Sequence, residues 1–176
     1  MTERRLTLFP SDPWFVTEDE ELFKERLIRI GFWEPSENSS SGFILGRLFR
    51  ELLEGTFEGI EYYHIPAWLE TYEQPKLQIG SDFQNLTTVK SPYGKEIGDQ
   101  DMARELILDL RENPDAIWQE PRFRQNIPIY ELDFENYVAF GRQFLQLGIY
   151  LKPTESFLNL LKESLGMEYR YANYWE

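Results

Sequence analysis

A single histidine, His64, no cysteine, and 31 carboxylates against 18 lysines and arginines set the chemistry open to this 176-residue chain. Without cysteine there is no disulfide framework, thiolate zinc site, iron–sulfur cluster or cysteine nucleophile. One imidazole cannot build a multi-histidine metal site, and no HExxH motif occurs. A Ser–His–Asp triad with His64 as base needs an exposed nucleophile. The GxSxG elbow that would present one is missing, and the serines of Glu37–Gly42 (ENSSSG) read as a loop. His64 is therefore read as a structural or partly exposed imidazole at the end of a strand in which Ile60, Tyr62 and His64 share a face.

Carboxylates offer more. Glu58 with Glu61, Glu70 with Glu73, and Asp99 with Asp101 are close in sequence. Glycoside hydrolysis would use two such groups about 5–10 Å apart across a cleft, and Tyr62, Trp68 and Tyr72 have the ring types that line a sugar or small-molecule pocket. Asp99, Asp101 and Glu105 could serve magnesium, although Asp at a helix start is ordinary capping. Nucleotide motifs (GxxxxGK[ST], GxGxxG) do not occur. Arg122 and Arg124 flank Phe123; an extended backbone would put both guanidinium groups on one side, for an anion or for the chain's own surplus acid.

Charge is the strongest global feature. The net charge of −13 is spread through both halves of the chain, which opposes phosphate neutralisation on nucleic acid and docking to an anionic membrane. Locally it peaks from Glu51 to Pro75, which holds six glutamates and no lysine or arginine, bounded by Arg50 and Lys76. Glu58, Glu61, Tyr62, Trp68, Glu70, Tyr72 and Glu73 are the candidate partner-binding residues. Acidic charge would steer a basic partner, and Tyr and Trp are the types that anchor interfaces.

The elements that must position these residues are read from periodicity. A first helix starts with a capping box, Thr17 and Glu20, and buries Phe23, Leu27 and Ile30. A second is expected from Phe43 to Glu54 with Leu45, Leu48, Phe49 and Leu52 inward. Between Gly55 and Gly98 short strand-like runs alternate with Pro and Gly. A third helix, Asp101–Glu112, has the stripe Ala103, Leu106, Ile107, Leu110. Residues 117–132 look extended. A fourth helix is expected from Phe134 to Tyr150, with Gly141 and Gly148 on one face for a close neighbour. A fifth is capped by Thr154 and stopped by Gly166, and the tail alternates like a strand.

With 41% apolar and 16% aromatic residues the chain has the material for a core. The reading is a single α+β domain over residues 1–176, with about five helices packed on a small, mainly antiparallel sheet. No apolar run reaches the roughly 18–20 residues of a membrane span and no signal peptide is evident, so a soluble cytoplasmic protein is expected. The function expected is a non-catalytic interaction module (adaptor, accessory subunit or immunity-type inhibitor) with an acidic, aromatic face for a basic protein and no cofactor. The alternative is a small carboxylate-dependent hydrolase, with or without a divalent metal.

Overall fold

The longest strongly apolar segment, expected as a helix, is a strand. The computed structural model describes residues 4–53 and 64–175. In chain order these form β1 (Arg4–Pro10), α1 (Glu20–Arg29), the pair β2 (Trp33–Pro35) and β3 (Phe43–Leu45), α2 (Arg47–Glu51), and β4 (Ala67–Ile79). The pair β5 (Val89–Lys90) and β6 (Glu96–Gly98) follows, then α3 (Gln100–Glu112) and the pair β7 (Ile117–Gln119) and β8 (Asn126–Pro128). The chain continues with β9 (Val138–Leu147), α4 (Glu155–Leu165) and β10 (Tyr169–Trp175). The protein is thus strand-rich, with ten strands and four helices among the described residues, in place of the expected five helices on one small sheet. No helix of the described residues is long and apolar enough to cross a membrane.

Two misread segments account for the difference. Every residue of β9 except Arg142 is buried, and a strand covered on both faces loses the alternation that marks a half-exposed one. Gly141 and Gly148 would each have cost a helix about 1 kcal/mol. Just past the end of β9, Gly148 instead lets Pro66 approach, since a Cβ there would sit 3.0 Å from the proline Cδ. The second segment splits at Gly46, where β3 ends and only the short α2 follows. Phe49 is fully buried as expected, whereas Leu48 is 52% exposed.

Where one face meets water, the helical periodicity holds. Ala103, Leu106, Ile107 and Leu110 are the buried stripe of α3. Thr154 caps α4 by accepting from the Phe157 amide at 3.0 Å, and Gly166 ends it at φ +75°. The cap of α1 is Asp19, which accepts from the Leu22 amide at 3.1 Å. Thr17 does not cap; its hydroxyl accepts from Gln143 Nε2 at 2.9 Å.

The main sheet is antiparallel in the order β10-β1-β9-β4. Leu6 and Leu8 of β1, with Leu145 and Leu147 of β9, pack against α1, α4 and the β2–β3 pair. Phe49 stands edge-on to Phe32 and Phe157 there, at centroid distances of 4.9 and 5.4 Å. A second apolar cluster joins α3 to Val138 and Phe140 of β9. β4 and β9 run through both clusters, contributing Leu69 to the first and Leu77 and Ile79 to the second.

This sheet is not flat. In β4 the four residues from Tyr72 to Pro75 lie opposite the single residue Arg142, between the pairs Thr71–Gln143 and Lys76–Gly141. Such a bulge bends its strand and strengthens the twist. Beyond it the end of β4 reaches across the sheet: Gln78 touches Thr7 of β1, although β9 lies between them in the ladder. Gly80 lies so close to β10 that a Cβ would sit 2.6 Å from the Asn173 carbonyl oxygen.

Gly46 makes a tighter approach still, because a Cβ there would overlap the Gly31 carbonyl oxygen at 1.6 Å. Both atoms belong to backbone that cannot step aside. Gly46→Ala is expected to cost about 3 kcal/mol or more. Gly141→Ala meets only ordinary contacts of 3.5 Å and longer, and is expected to stay within about 0.5 kcal/mol of the parent. Urea unfolding of the two variants checks this, and equal destabilisation would contradict it.

Candidate functional site

Residues two apart on a strand share a face, so Trp68, Glu70 and Tyr72 of β4 project together. Their polar atoms meet. Trp68 Nε1 donates to Glu70 Oε1 at 3.0 Å and the Tyr72 hydroxyl donates to Glu70 Oε2 at 2.5 Å. Two further donors come from neighbouring strands: Gln146 Nε2 of β9 to Oε2 at 3.3 Å, and Arg5 Nη1 of β1 to Oε1 at 3.5 Å. Glu70 is therefore a carboxylate with four donors rather than a free surface acid.

Arg5 also reaches Glu70 by a second route. Thr7 and Gln146 are both fully buried, so their polar atoms need partners inside the protein. The Thr7 hydroxyl donates to Gln146 Oε1 at 2.7 Å. Its single proton is then used, so Gln78 must approach Thr7 as a donor. With the Gln78 amide turned that way its nitrogen meets Thr7 Oγ1 at 2.9 Å, and its oxygen accepts from Arg5 Nη2 and Nε at 2.9 and 3.2 Å. The result is a closed ring in which every donor points from the Arg5 cation toward the Glu70 anion. Arg5 further lies over the Tyr174 ring of β10, its Cζ 4.3 Å from the centroid. All four strands of the sheet are tied into the constellation.

Electrostatics follow from this geometry. Burial alone would push the Glu70 pKa up. The hydrogen bonds from Tyr72, Trp68 and Gln146, with the charge of Arg5, outweigh it and hold the carboxyl below its ordinary value. The Tyr72 phenol moves strongly the other way, through burial, its bond to Glu70 and the charge it faces. At neutral pH the site holds an ionised glutamate and a protonated tyrosine. It fixes two aromatic side chains by their polar tips.

The remaining sequence-derived residues are distributed elsewhere. Glu73 is exposed within the bulge, and His64 is exposed just before buried Ile65. Glu58, Glu61 and Tyr62 lie outside the described residues. Asp99 caps α3, accepting from the Met102 amide at 3.1 Å, and Asp101 approaches Arg104 at 3.9 Å. Among the described residues no group of three or more His, Asp or Glu is placed to hold a metal ion.

Arg122 and Arg124 sit not on an extended run but in the turn between β7 and β8, with Arg124 at φ +52°. Glu120 shapes that turn, accepting from the Phe123 amide at 2.6 Å and from Lys95 Nζ at 3.2 Å. Phe123 is left exposed at its tip, and neither arginine has an ion pair among the described residues.

Sequence reasoning reached Trp68, Glu70 and Tyr72 but missed Arg5, Thr7, Gln78 and Gln146. A signal existed. In RRLTL, KLQI and FLQL a polar residue alternates with leucine or isoleucine, which places it on the face opposite the apolar cluster. Comparison with protein-family models, with curated proteins and with solved structures found no match.

Because folding lowers the Glu70 pKa, the folded state binds fewer protons in acid than the unfolded chain. The resulting stabilisation is complete above the unfolded value of about 4.3 and is lost as the pH falls through the lower folded one. Glu70→Gln is expected to cost about 2 kcal/mol at neutral pH. The gap between parent and variant should be constant above about pH 5 and shrink below it. Urea unfolding at a series of pH values measures it; a gap that widens in acid would contradict the assignment.

Proposed function

We propose that this chain is a non-catalytic interaction module that presents pre-fixed aromatic anchors on an acidic surface to a basic protein partner. The observation that carries the reading is the attachment of Trp68 and Tyr72 to the two oxygens of one carboxylate. An anchor whose rotamer is set before contact loses less entropy on binding, and Trp and Tyr are the types most enriched among interface hot spots. Here both rings are half-buried, project from one face of β4 and stand beside exposed Glu73.

The net charge of −13 supplies the long-range part. A field of that sign raises the encounter rate with a basic surface and suppresses association with acidic ones, and salt weakens it. Glu58, Glu61 and Tyr62 belong to the same lysine- and arginine-free stretch of the sequence. Glu70 contributes indirectly, by holding the anchors rather than meeting the partner.

The test is affinity capture from the native host at low salt, with the parent chain and with Glu73→Lys and Trp68→Ala. Glu73 is exposed and makes no side-chain hydrogen bond or ion pair among the described residues, so its reversal reports on the surface. A basic protein retained by the parent should be lost at high salt, and retention should drop about tenfold or more in Trp68→Ala. Equal retention by parent and both variants, or retention indifferent to salt, would refute the reading.

A further inference from the structure

The bulge in β4 opens a second feature, which adjoins the aromatic surface at Tyr72. Where Tyr72–Pro75 leave the ladder, a cavity of about 390 Å³ is lined by the bulge on one side and by Leu110 and Arg111 in the last turn of α3 on the other. That is within the roughly 300–1,000 Å³ range of small-molecule sites. Its floor is apolar: Leu77 of β4, Leu110 of α3 and Phe140 of β9, the last two only 1% and 6% exposed.

Its polar side chains are two cations, Lys76 and Arg111, the Tyr72 phenol and the Gln74 amide. Lys76 Nζ lies 4.5 Å from the centroid of the Tyr72 ring and 3.4 Å from the Tyr72 hydroxyl oxygen. Arg111 comes from the facing helix. Neither cation has a carboxylate within ion-pair distance among the described residues, in a chain where acids outnumber bases 31 to 18. The helix dipole accounts for a cation in the last turn of α3. It does not account for Lys76, which reaches the same cavity from a strand. An ammonium has three donors, and Lys76 directs one at Tyr72, leaving donors for an anion.

From this geometry we infer that the cavity binds a small monocarboxylate with an apolar tail. The tail covers Leu77, Leu110 and Phe140, and the carboxylate sits between Lys76 and Arg111. A phosphate or a dicarboxylate would leave the apolar floor unused, and a neutral apolar molecule would leave both cations without an anion. Lys76 adjoins the interaction surface through Tyr72, whereas Arg111 comes from α3, so a small-molecule ligand here is a role beyond the interaction reading.

The test is calorimetric titration of the whole chain with octanoate and with octanamide, which shares the tail and lacks the charge. Octanoate should bind about tenfold more tightly than octanamide. Lys76→Gln and Arg111→Gln should each weaken octanoate about fivefold and leave octanamide unchanged, with thermal unfolding verifying that both variants remain folded. Lys24→Gln on α1 removes the same charge far from the cavity and should have no effect. Absence of octanoate binding at millimolar concentration, equal affinity for acid and amide, or equal weakening by all three variants would each overturn the assignment.

Discussion

Arg5 and Glu70 are joined twice, once by a direct ion pair and once through the chain Gln78–Thr7–Gln146, and the four-stranded sheet is assembled around that double connection. Charges with side-chain exposures of 16% and 24% have given up much of their hydration. They remain favourable only while their remaining hydrogen-bonding capacity is filled. The relay fills it from three strands. Its bonds all run in one direction, so each polarises the next. Tyr174 adds the fourth strand by covering the guanidinium.

Register follows from the same requirement. Arg5 and Thr7 alternate with Leu6 and Leu8, so a one-residue slip of β1 would carry a cation and a hydroxyl into the apolar cluster beside α1 and α4. Gln146 is held between Leu145 and Leu147 in the same way. The relay also needs Gln78 to reach Thr7 past the intervening strand, and the bulge, which bends a strand, precedes Gln78 in β4. That bend shapes both surfaces: Trp68 projects before it, Tyr72 stands at its first residue, and the cavity opens beside it. One local distortion thus links sheet closure, the aromatic anchors and the Lys76–Arg111 pair.

The parts legible in sequence are those with one wet face. The α3 stripe and the α4 cap and stop were read correctly, because half-buried helices keep their period and their end signals. β9 was not, since burial on both sides removes the period that separates strand from helix. At Gly46 the obstacle is a backbone atom 15 residues away, the Gly31 carbonyl, which no local pattern encodes. The ring divides the same way: Trp68, Glu70 and Tyr72 come from one strand and stand out by residue type within one acidic stretch. Their partners Arg5 and Gln146 lie 65 and 76 positions from Glu70, so only the tertiary fold brings them together.

The claim on which the rest turns is that Glu70 stays ionised and bound to Trp68 inside the folded protein. The indole ¹H–¹⁵N resonance of Trp68 reports it directly, assigned by its loss in Trp68→Phe and followed through an acid titration of the folded chain. An ionised acceptor held by four donors predicts an inflection of that resonance with a midpoint below about 4.3. No inflection, or a midpoint at or above the ordinary carboxylate value, would contradict it.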